Sequence, residues 1–72
     1  MENIFYIQKH KTEWISSNKE TDSIIARTKT KREAIALTII HAKTIGNSRL
    51  YIYDKDGKQS EERTVKKASR KE

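Results

Sequence analysis

Residues 24–47 read IIARTKTKREAIALTIIHAKTIGN, and everything else in the chain is placed by how this stretch divides. Thr30 stands three residues before Glu33, the spacing of a capping box in which a hydroxyl and a carboxylate satisfy amides at a helix start. Gly46-Asn47 supplies the stop, because glycine takes up the left-handed backbone that closes a helix. The spacing predicts a helix over Lys31–Ile45, about four turns long. At about 100° per residue, Ala34, Ile35, Thr38, Ala42 and Ile45 share a stripe of the width that packs on a sheet. Ile39 borders that stripe. Ile40 points almost directly away from it, with Leu37 and Ala36 beside it and Thr44 between Leu37 and Ile40. His41 and Lys43 stand at the two margins. The helix is therefore more apolar than one sheet requires.

Before the helix, IIAR is a short extended apolar run, either a third short strand or part of the connection. Further back, NIFYIQKH alternates with Phe5 and Ile7 on one face and Ile4 and Tyr6 on the other. After the turn KHKTE, EWISS is rich in strand formers and anchored by Trp14, so the two runs predict an antiparallel hairpin. SNKETD is a loop by composition. Beyond the helix, RLYIYDKDGKQSEERTV predicts a second hairpin around Asp56-Gly57, whose polar return strand suits a sheet edge. The expectation is an α+β fold: an antiparallel sheet of about four strands with one helix packed on one face, in the order strand-strand-helix-strand-strand.

Seventy-two residues make one domain. Charged residues slightly outnumber hydrophobic ones, at 36% against 33%. The large apolar residues nevertheless cluster in the runs just described, which argues for a folded chain. The formal net charge is +6, and half of it lies in the tail, where Lys66, Lys67, Arg70 and Lys71 stand against Glu72. Residues 1–65 are thus expected to form the domain and residues 66–72 a basic disordered tail. The absence of cysteine excludes disulfides and thiolate metal sites. No stretch resembles a signal peptide or approaches the roughly 20 apolar residues of a membrane span, so the expected location is the cytoplasm.

Catalysis finds no support in the inventory. His10 and His41 have no cysteine or serine motif beside them, Glu33 is explained by capping, and Asp54 and Asp56 flank a turn. The run DKDG opens like a calcium loop, but its later ligands are missing at the required spacing. No enzyme, cofactor, metal or small-molecule substrate is expected. Two binding readings remain. A nucleic-acid reading uses Arg27, Lys29, Lys31 and Arg32 around the helix start together with Lys66, Lys67, Arg70 and Lys71. A protein-binding reading uses the outer helix face, Ala36, Leu37, Ile40, His41, Lys43 and Thr44, or an open sheet face carrying Tyr6, Tyr51 and Tyr53.

The pieces FYIQKH, EWISS, TKREAI, the helix end at Gly46 and LYIYDKDGK, taken in order, resemble the small bacterial domains grouped as domain-of-unknown-function family 2188. The resemblance implies a compact strand-strand-helix-strand-strand fold, with no known activity and no catalytic residues to carry over. Family members commonly have a glycine-rich first turn, where this chain has KHKTE. Its 18–27 loop is also longer, and the tail is its own. The expected function is a small non-enzymatic module that binds a protein partner or a second copy. Its small size, its lysine and isoleucine content and its lack of chemistry also suit a phage or mobile-element accessory protein such as an anti-CRISPR. Nucleic-acid binding is the alternative.

Overall fold

A computed structural model describes residues 3–66. Five strands and one helix follow in the order β1 (Asn3–His10), β2 (Glu13–Asn18), β3 (Ile24–Thr28), α1 (Lys31–Ile45), β4 (Ser48–Tyr53) and β5 (Gln59–Val65). They form one sheet in the order β3-β2-β1-β4-β5. The one-helix α+β expectation holds, but the sheet has five strands rather than four and is mixed rather than antiparallel. IIAR is a true strand, paired antiparallel to β2 through Ser16↔Ala26 and Ile15↔Arg27. β1 and β4 run parallel, from Asn3↔Ser48 to Ile7↔Ile52. Parallel neighbours need a long crossover, and α1 is that crossover.

Thr30 caps the helix as expected, although the Glu33 carboxylate returns to the Thr30 hydroxyl rather than to its amide. The Thr30 hydroxyl accepts the Glu33 amide at 3.2 Å and lies 3.1 Å from Glu33 Oε1. At the other end, Gly46 has φ +112° and its amide donates to the Ala42 carbonyl at 2.9 Å.

The core lies between α1 and one face of the sheet. Phe5, Ile7, Leu50 and Ile52 of the two central strands are fully buried with Ala34 and Ala42 of the helix, and Val65 closes one end. The small helix residues let the backbones approach closely. Trp14, Ile25, Ile35 and Ile39 pack around this centre. Between them lies one buried polar contact, Thr38 to Ser16. The Thr38 hydroxyl donates its single proton to the Ala34 carbonyl at 2.7 Å, so the Ser16 hydroxyl is the donor to Thr38.

Two helix residues depart from expectation. Ile45 was placed on the sheet-facing stripe, yet it is 43% exposed. It is the last helical residue, and rotation about the axis says nothing of how far along the axis the sheet extends. His41 was placed at the margin of the outer patch. It is instead half-buried, its ring edge-on to Phe5 with centroids 5.7 Å apart, so it covers the core.

The first turn explains a sequence oddity. Lys11 sits at φ +58° between His10 and Glu13, the last pair of the β1–β2 hairpin. A left-handed non-glycine residue costs about 1–2 kcal/mol, while glycine adds about 0.5–1 kcal/mol of chain entropy to the unfolded state. Lys11→Gly is therefore expected to raise stability by about 0.5–1 kcal/mol, read as a higher urea midpoint at unchanged slope.

Candidate interaction surfaces

Alternation along each strand sends Phe5, Ile7, Leu50 and Ile52 under the helix and leaves their neighbours on the opposite face, which no other described element covers. Tyr6 pairs with Tyr51 across β1 and β4. The Tyr6 ring centroid lies 5.9 Å from that of Tyr51 at 60° and 5.9 Å from that of Tyr53 at 83°. All three tyrosines are half-buried, as are Ile4 and Ile15 on the same face. Two ion pairs bound this apolar centre. On the β4–β5 side Arg49 Nε lies 3.4 Å from Glu62, and on the β2–β3 side Arg27 lies 3.4 Å from Glu13. The side chains of these pairs are part-exposed and contribute little to stability, and within each pair the two charges offset one another.

The outer face of α1 is the second surface. Ile40 is 62% exposed and Leu37 47%, with Ala36, Lys43 and Thr44 also exposed. The Thr44 hydroxyl bonds back to the Ile40 carbonyl at 3.1 Å, so it caps its own helix turn. Because Ile40 is mostly exposed, Ile40→Glu is expected to shift the unfolding free energy by less than about 0.5 kcal/mol, measured by urea titration.

The basic segment does not form one patch. Arg27 points to the open sheet face and is paired with Glu13. Lys31 lies on the helix side, its Nζ 3.2 Å from the Ser60 hydroxyl and 5.7 Å from the Trp14 ring centroid. Lys29 is exposed in the bend before the helix, and Arg32 is exposed on α1. Lys66 is exposed at the end of β5, while Lys67, Arg70 and Lys71 fall outside the described residues.

His10 ends β1 and His41 lies over Phe5, in different layers of the fold. Among the described residues, no group of three or more His, Asp or Glu side chains is arranged to hold a metal ion. No described helix is long and apolar enough to cross a membrane. The DKDG turn uses its first aspartate internally, since Asp54 Oδ1 accepts the amides of Asp56 at 2.9 Å and Lys58 at 3.1 Å. Gly57, at φ +86°, completes the turn by donating to the Asp54 carbonyl.

The Lys58 amide bond holds the Asp54 carboxyl below its ordinary range; desolvation opposes this, and the Asp56 amide and the Lys31 and Lys58 charges reinforce it. A depressed folded-state pKa stabilises the fold above the unfolded pKa and loses that effect as pH falls through the folded value. Acidification below about pH 4 should therefore loosen the β4–β5 turn. Asp54→Asn, which keeps the oxygen acceptor, should remove this part of the acid sensitivity. Amide exchange at Asp56 and Lys58 measures both.

Sequence reasoning found the three tyrosines and placed Ile4 on the face of Tyr6, but missed Ile15 and the Arg49–Glu62 pair as parts of the same face. Their alternation with the buried residues was the available signal, and it becomes readable only once the partners of β1 are known. Comparison with curated proteins and with solved structures finds no match. A family model does match residues 4–65, nearly all that the structure describes. The chain thus belongs to a family of uncharacterized proteins conserved in bacteria, DUF2188.

Proposed function

We propose that the domain is a non-catalytic protein-binding module that docks its partner on the open sheet face. The observation that supports this is the contiguous Tyr6–Tyr51–Tyr53 cluster at the middle of a sheet face that no other described element covers. Tyrosine and arginine are enriched at the centres of protein interfaces, and a charged rim around an aromatic centre is the usual anatomy of one. Base stacking is a poorer use of these rings, because their tilted and edge-on packing turns edges into faces that a base would need.

The experiment is a tagged pull-down from the native host, with and without nuclease, comparing wild type with Tyr6→Ala and Tyr51→Ala. A protein captured by wild type, retained after nuclease and lost from both variants supports the sheet face. The Ile40→Glu variant tests the outer helix face in the same assay, and loss there alone would move the site to α1. Capture that vanishes with nuclease, or falls steeply with salt, would replace the reading by nucleic-acid binding. Light scattering of wild type against Tyr51→Ala tests a second copy as the partner.

A further inference from the structure

The helix does not sit centrally on its sheet. It packs mainly on β3, β1 and β2 and only lightly on β4 and β5. Between α1 and β5 this leaves a trough of about 580 Å³. Ile35, Ala36 and Ile39 form its helix wall, and Glu61 and Arg63 its strand wall. Those two strand residues pair with Ile52 and Leu50. They therefore stand on the helix side of the sheet, where a core residue would be expected if the helix covered them.

The charges in the trough are unbalanced. Glu61 is taken by Arg63, whose Nε lies 2.6 Å from its carboxylate. Lys31 and Arg32 line the same trough beside the helix start. Lys31 bonds the neutral Ser60 hydroxyl and faces the Trp14 indole, and although its charge acts on the Asp54 carboxylate the two form no ion pair among the described residues. The positive end of the helix dipole adds to theirs. An apolar strip thus lies beside two cations and an electropositive helix start.

We propose that this trough binds a protein segment carrying aliphatic or aromatic side chains next to carboxylates. The apolar side chains cover Ile35, Ala36 and Ile39, and the carboxylates meet Lys31 and Arg32. The volume suits a few side chains. Phosphates fit less well, since Glu61 stands in the strand wall and the aliphatic strip offers no ring to stack on. The trough lies on the opposite side of the sheet from the tyrosine cluster, so it stands or falls separately from the sheet-face reading.

The test is selection of random peptides displayed on phage against the immobilised domain. Enriched peptides are expected to combine Asp or Glu with Leu, Ile or Phe. A resynthesised peptide should bind at least about tenfold more weakly to Arg32→Glu and to Ala36→Glu. Both positions are exposed, and an acid at residue 32 favours the helix N-terminus. Lost binding with an unchanged or raised melting temperature is therefore not unfolding. Amide shifts on titration should fall along residues 31–39 and 61–63. The proposal is overturned by enriched peptides without acidic residues, by no enrichment over bare support, or by binding indifferent to both substitutions. Shifts on the tyrosine face, or equal competition by an oligonucleotide of matched charge, overturn it as well.

Discussion

Phe5→Ala is expected to remove about 3–5 kcal/mol of stability, the largest loss of any single truncation in the domain. Phe5 is fully buried on the central strand, paired on one side with Asn18 and on the other with Leu50. Its ring is closed from above by the edge of His41. A chain of this length has a total stability of about 4–11 kcal/mol at ordinary values per residue. The substitution should therefore lower the urea midpoint by at least about a quarter, and at the low end of that stability range abolish a cooperative transition. A loss below about 1 kcal/mol would show that the ring does not stand at the junction of sheet and helix.

Thr38→Val is expected to cost about 1–3 kcal/mol, more than its loss of one oxygen suggests. The Thr38 hydroxyl accepts from Ser16 and donates to the Ala34 carbonyl, and both side chains are completely buried. Valine leaves the Ser16 hydroxyl in an apolar layer with its partner gone. Ser16→Ala should cost less, because Thr38 keeps the Ala34 carbonyl. The double variant should then recover most of the Thr38→Val loss, since removing both members of a buried polar pair is nearly neutral. A double-mutant cycle by urea denaturation reads this coupling directly. Additive losses would mean that the two hydroxyls do not depend on each other.

The helix was legible because its signals are local. Thr30, Glu33 and Gly46 act within one turn of themselves, and all three behave as their types suggest. The tyrosine face was legible in part for the same reason, since alternation within a strand is a local property. Strand direction is not local. With two strands before the helix, a chain that returns along the helix lays its next strand antiparallel to the first. With three, the same return lays it parallel. Leaving IIAR undecided therefore left the direction of the whole second half undecided, and the antiparallel choice was the one that fails. The trough was illegible for another reason. Helical rotation shows that Ile35 and Ile39 flank the buried stripe, but not that the helix leans toward β3 and away from β5.

The parallel pairing of β1 with β4 also sets an order of assembly. Every residue pair in it is separated by 45 positions along the chain, whereas β1–β2 and β2–β3 close through short turns. The first three strands can form as soon as they exist, but distant pairing is entropically slower. Until β4 arrives, the middle strand of the finished sheet is an edge, with Phe5 and Ile7 on it. Such an edge is a template for the same strand of another nascent chain. A ribosome that stalls before Ser48 would release a sticky fragment rather than a smaller working domain. The chain's last third is what keeps its first ten residues from finding the wrong neighbour.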